Sequence, residues 1–169
     1  MTRADRRDEA GTWVLLSYRV PREPSTPRIA IWRKLKRLGV AQISDGLIAL
    51  PADARTREHL EWIADEITEA GGAASIWVAQ PGTMATERAL ATAMAEARAA
   101  EYAAVTAEAA AAATLEATAR ASLGRRLRSE LRRIQRRDYF PPTERAQAIA
   151  AVDALTGGAV AAEPMETRS

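Results

Sequence analysis

The sequence predicts an α+β chain: a ferredoxin-like βαββαβ domain followed by a C-terminal helical hairpin or extension. Three observations predict it. Short β-forming runs alternate with helical stripes in the order β-α-β-β-α-β over residues 12–82, the split pattern of that fold. Asp45-Gly46 stands between two apolar runs, a strong short-range hairpin signal. From Thr83 onward alanine, glutamate and arginine dominate, with no glycine until Gly124, a composition that favours long helix.

Taken in order, residues 1–11 are polar and mixed in charge and read as a disordered lead-in. Trp13–Val20 is a β-forming run closed by Pro21 and Pro24, which lack the amide a ladder needs. Thr26-Pro27 reads as a hydroxyl N-cap with proline at the first helical position. Ile31, Leu35 and Leu38 then make one apolar stripe, and Gly39 fits the left-handed position that ends a helix. Val40–Ile43 and Leu47–Leu50 flank the Asp45-Gly46 turn, for which a type I′ geometry with positive φ at both residues is expected. Asp53 or Thr56 caps a second helix with Leu60, Ile63 and Ile67 inward, stopped by Gly71-Gly72. Ala74–Ala79 is the last strand.

The helical part is expected over 83–157. Its first helix carries few large apolar residues, so it must lean on a neighbour. Gly124 is a candidate break. Leu123, Leu127, Leu131 and Ile134 form a stripe opposite arginines, and Tyr139-Phe140-Pro141-Pro142 ends that helix. Thr143 caps a final helix with Ala146, Ile149, Ala150 and Leu155 inward, and 158–169 read as a flexible tail. The four tryptophans, Trp13, Trp32, Trp62 and Trp77, sit in or beside core elements, where packing is the ordinary role of an indole for most of them, and Trp32, adjacent to the Ile31 stripe position, is expected at a helix edge within reach of a partner.

Composition excludes several classes of chemistry. There is no cysteine among the 169 residues, hence no disulfide, thiolate zinc site or thiol sensor. His59 is the only histidine and stands beside charged neighbours near a helix start, as a surface residue does, so no metal and no cofactor are expected. No nucleophile elbow and no phosphate-cradling glycine loop occurs. No apolar stretch approaches a membrane span and the charged N-terminus has no signal-peptide core, so a cytoplasmic, non-membrane location is expected.

The formal net charge is only +2, but it is unevenly placed. Arg19, Arg22 and Arg28 flank a proline-stiffened loop, and Arg33, Lys34, Lys36 and Arg37 continue along the helix after it. Cations gathered on one accessible face suit phosphate, with a solvated helix face as the bland alternative. A second row includes Arg125, Arg126, Arg132, Arg133, Arg136 and Arg137. It either tracks a nucleic-acid backbone or neutralises the glutamates of the preceding helix, and for some of these arginines the pairing is the better reading.

The run from Trp13 through VPREPS and WRKLKRLG to His59-Leu60-Glu61-Trp62 resembles the N-terminal domain of the ChrB family, chromate-responsive regulators encoded beside chromate-efflux genes. The later IQRRDYFPP resembles that domain's C-terminal helical part, so the likeness spans Trp13 to Leu155. It implies a transcriptional regulator that binds the promoter DNA of a chromate-efflux operon and releases it when chromate arrives. Family members usually carry a second domain associated with chromate sensing. With the sequence ending at Ser169, the expectation is a stand-alone module, an excised domain or a split partner of a separate chromate-sensing protein. Ferredoxin-fold nucleases place an aspartate at the end of their first strand, whereas Tyr18 and Arg19 stand here, which speaks against nuclease chemistry. The expected function is therefore that of a non-enzymatic, DNA-binding transcriptional regulator module, with a homodimer as the expected assembly. The alternative is a non-catalytic protein-interaction or dimerisation module that partners a separate sensor or regulator.

Overall fold

The computed structural model describes residues 11–157; the expected lead-in before Gly11 and the expected tail after Gly157 lie outside the described residues. In chain order the elements are β1 (Trp13–Arg19), α1 (Ser25–Leu38), β2 (Ala41–Ser44), β3 (Leu47–Pro51), α2 (Ala54–Glu69), β4 (Ala73–Ala79), α3 (Met84–Ala111), a 3₁₀ turn (Ala112–Thr114), α4 (Ala117–Gln135) and α5 (Glu144–Gly157). They form two compact units, the first ending at Met94 and the second beginning at Ala95, inside α3.

In the first unit the four strands make one antiparallel sheet in the order β2-β3-β1-β4. Leu16 of β1 lies opposite Ile48 of β3 and Ile76 of β4, and Val14 lies opposite Leu50 and Val78. Because alternate residues share a face, Val14, Leu16, Ile48 and Leu50 form one apolar surface. All four are buried, together with Ile31 and Leu35 of α1 and Leu60, Ile63 and Ile67 of α2. On the opposite face Leu15 is half-buried and Ile43 and Trp77 are exposed. The first turns of α3 reach that face: Thr86 and Leu90 line a small hollow with Trp13, Leu15 and Ala49. Glu87 Oε1 accepts hydrogen bonds from the Gly11 amide (2.7 Å) and the Trp13 indole (3.2 Å).

Local signals account for most boundaries. Asp53 and Thr56 form a reciprocal capping box at the start of α2. Thr56 is wholly buried and its hydroxyl also donates to the Pro51 carbonyl, 2.7 Å. Gly39 takes the left-handed conformation after α1. The start of α1 differs from expectation: the helix begins at Ser25, Pro24 is the N-cap residue, and no side chain caps it. Pro27 is then the third helical residue, still within the first turn where an amide has no intrahelical acceptor.

The β2–β3 turn is not type I′, because among the described residues no non-glycine has positive φ and only Gly46 (φ 72°) does so in this turn. A bulge between Gln42 and Ser44 supplies the twist that a primed turn otherwise provides. The Tyr18 amide donates to the Gly46 carbonyl at 2.7 Å, so the turn is pinned to the end of β1.

In the second unit Tyr102, Val105 and Ala109 of α3 share a core with Leu127, Leu131 and Ile134 of α4 and with Ala148, Val152 and Leu155 of α5. The helix break falls at the 3₁₀ turn, while Gly124 lies buried within α4. The inward face of α5 is Ala148, Val152 and Leu155, with Ile149 beside it; Ala146 and Ala150 are exposed, because the apolar pattern of an alanine-rich helix is nearly uniform around its axis. Tyr102 is fully buried and donates its hydroxyl to Asp138 Oδ2 at 2.8 Å. Burial above all, and then this bond, hold the phenol well above its ordinary pKa.

The expected class, a ferredoxin-like βαββαβ domain with a helical hairpin, is corrected by these observations. Among the described residues the fold is mixed α/β, with five α-helices and one four-stranded antiparallel sheet, and helix predominates. The compact unit that holds the sheet continues through the first turns of α3 to Met94. The helical part, a long helix, an arginine-rich helix and a short final helix, packs into one core that all three share. Strand and helix order describes neighbours along the chain, but it does not say what covers the second sheet face or how many helices share a core.

Tyr102→Phe is expected to cost about 1–3 kcal/mol, since it removes the hydroxyl donor to the buried Asp138 carboxylate and leaves it the more distant Arg145, 3.6 Å away. Thr56→Ala is expected to cost about 1–2 kcal/mol through loss of the capping box. Urea unfolding followed by far-ultraviolet circular dichroism measures both.

Candidate functional site

The end of β1, the loop after it, α1 and the β2–β3 turn surround an open cleft of about 610 Å³. Tyr18 and Val20 come from β1 and its exit, and Arg28, Ile29, Trp32 and Arg33 from α1. Gln42, Asp45 and Gly46 close the far side. The sequence explains the arrangement. Ile31 and Leu35 bury one stripe of α1, so at 100° per residue Ile29, Trp32, Arg33, Lys36 and Arg37 fall on the outer half of the helix. Gly46 brings the turn within reach of β1: a Cβ there would stand 2.4 Å from the Tyr18 carbonyl oxygen.

Arg19, Arg22, Arg28, Arg33, Lys36 and Arg37 are exposed. Among the described residues Arg22, Arg28, Arg33 and Arg37 make no ion pair, whereas Lys34 pairs with Glu66 of α2. Lys34 is thus set apart from the other cations of α1. The Lys36 ammonium lies 4.8 Å from the centre of the Trp32 ring, a cation–π contact that holds the indole against its own helix. Tyr18 lines the cleft with its phenol pushed above the ordinary value, first by burial and then by the Asp45 carboxylate.

The tryptophans divide, Trp32 standing exposed at a helix edge as expected and Trp62 and Trp77 exposed against expectation. Trp13 is in the core, but Trp32, Trp62 and Trp77 are 53%, 66% and 59% exposed. Trp32 and Trp62 stand next to stripe positions, and one residue moves a side chain 100° around a helix. Sequence reasoning about the cations did not find the cleft, because Tyr18, Gln42 and Asp45 meet α1 only through sheet pairing. A tryptophan one position off an apolar stripe and beside basic residues was the available signal. His59 is half-buried in a second groove with Arg37, Trp62 and Glu66, and its Nδ1 has no hydrogen-bond partner among the described residues.

In the second unit the arginine row is split. Arg126 pairs with Glu108 and Arg137 with Glu101 at 2.9 Å, tying α4 to α3. Arg128 reaches Asp153 of α5 at 3.8 Å. Arg132 donates to Ser129 within α4. Arg125, Arg132 and Arg136 lie within about 40° of one line along the helix, opposite buried Leu127, Leu131 and Ile134, and Arg133 is exposed beside them.

Taken together, the first unit carries a concave site lined by an indole, a phenol and two guanidinium groups. A family model described as "Protein ChrB, N-terminal" matches residues 28–118, more than half of the chain, and the chain belongs to that family. The membership relates it to chromate-resistance regulation. No curated protein and no solved structure matches it. Among the described residues no helix is long and apolar enough to cross a membrane.

Asp45→Asn is expected to lower the Tyr18 pKa while leaving it above the ordinary phenol value. The substitution removes a negative charge that opposes phenolate formation, and burial remains. Ultraviolet titration of the phenols, compared with a Tyr18→Phe control, measures the shift.

Proposed function

We propose that this chain is a DNA-binding regulatory module of its family that contacts phosphates through the loop–helix surface of Arg19, Arg22, Arg28, Arg33, Lys36 and Arg37. The observation that carries the reading is that all of these cations are exposed, while Lys34 of the same helix is held by Glu66. Guanidinium groups without internal carboxylate partners are available to phosphate oxygens, which they bind in bidentate fashion. Family membership makes the promoter region of chromate-efflux genes the natural target. The exposed line of Arg125, Arg132, Arg133 and Arg136 is a secondary phosphate surface in the same reading, whereas Arg126 and Arg137 serve the α3–α4 pairing.

A second reading is supported by the exposed Trp62 and Trp77. Large exposed indoles are enriched at protein interfaces, so a partner-binding or dimerising module that carries a regulator fits them.

The test is fluorescence anisotropy with labelled promoter DNA over a salt series. Arg33→Glu with Arg37→Glu is expected to abolish measurable binding. Neutral Arg33→Gln with Arg37→Gln is expected to reduce the log–log salt slope by about two, close to one for each lost phosphate contact. Lys34→Gln is expected to leave that slope unchanged. Binding indifferent to salt, or insensitive to both double substitutions, overturns the reading in favour of the partner-binding one.

A further inference from the structure

The cleft has features that phosphate contacts along a duplex do not require. Its volume, about 610 Å³, falls in the range of small-molecule sites. One wall is the half-exposed indole of Trp32, with Ile29 beside it. Arg28 and Arg33 also line the cleft, five positions apart on α1, about 7.5 Å along the helix axis. Across from them are Gln42, whose amide both donates and accepts, and Asp45, an acceptor that disfavours an anion on its own side. Tyr18 keeps its proton and is a further donor. Plane, anion and hydrogen-bonding edge thus have separate places.

We infer that this cleft receives one unpaired nucleotide, its base against Trp32, its polar edge toward Gln42 and Asp45, and its phosphate between Arg28 and Arg33. The inference rests on the nucleic-acid reading above and adds the state of the nucleic acid. A paired base is covered by its neighbours in the stack and shows only its edge in a groove. An indole lining a concave wall meets a base face only after that base has left the stack. The same chemistry is offered by an unpaired position in a DNA strand and by a free nucleoside monophosphate.

The experiment compares a labelled short single strand with the same sequence as a blunt duplex, using the full chain and the variants Trp32→Leu and Trp62→Leu. Trp32→Leu is expected to weaken single-strand binding about five- to hundredfold, the range for loss of one base–aromatic stack. Its salt slope should stay the same, and duplex binding should change less than twofold. Trp62→Leu, an exposed tryptophan outside the cleft, is expected to change neither. Excess deoxyadenosine monophosphate separates the sources. Displacement of the strand from the full chain identifies the free nucleotide as a ligand in its own right, and no displacement confines the site to nucleotides within a strand. Equal losses on single strand and duplex, a loss reproduced by Trp62→Leu, or no effect of Trp32→Leu overturns the inference. In each case a response to the Arg33/Arg37 substitutions leaves the phosphate reading standing, and their silence removes that reading instead.

Discussion

The pairing of β1 with β3 on one side and β4 on the other is the constraint on which the first unit depends. It places Leu16 between Ile48 and Ile76, and so sets the surface that the stripes of α1 and α2 cover. The same strand, two residues on, ties Tyr18 to Gly46 and so draws the β2–β3 turn toward α1. Burial of the sheet face and formation of the cleft are therefore two results of one register. A one-residue slip would exchange Leu16 for Leu15 on the helix side and move Tyr18 away from the turn.

Electrostatics then sorts the basic residues by where helix periodicity leaves them. Lys34 lies on the flank of α1 facing α2 and meets Glu66, while Arg126 of α4 and Arg137 just beyond it meet Glu108 and Glu101 of α3. Exposed cations with no ion pair among the described residues remain available: Arg33 and Arg37 in one unit, Arg125 and Arg136 in the other. Pairs this exposed contribute little to stability, typically 0–1 kcal/mol. Their larger effect is to remove particular cations from the accessible set.

Much of this was legible along the chain because it is local. Asp53 and Thr56 announce the start of α2, Gly39 the end of α1, and the stripes Ile31-Leu35 and Leu60-Ile63-Ile67 the buried helix faces. What was not legible depends on residues far apart. The bulge at Ile43 spares Asp45 a positive φ, and only the pairing with β3 shows it. The face of α5 was misread because alanine occupies both sides of that helix, so only packing on α4 decides that Ala148 turns inward and Ala150 does not. The cations of the site were readable as a run, but the cleft beside them joins α1 to the ends of two strands and has no signature in any single stretch.

The division between the units falls inside α3 and not in a linker. The family match, from Arg28 to Thr118, likewise runs through that helix without interruption. A gene rearrangement that kept only the sheet unit would have to sever a hydrogen-bonded helix and expose its carbonyls at the cut. The second unit would lose the strand of core that Tyr102 and Val105 supply if the break came a few turns later. The boundary between the units thus lies within one run of helical backbone, so a cut there would strand amides and carbonyls that the helix now pairs.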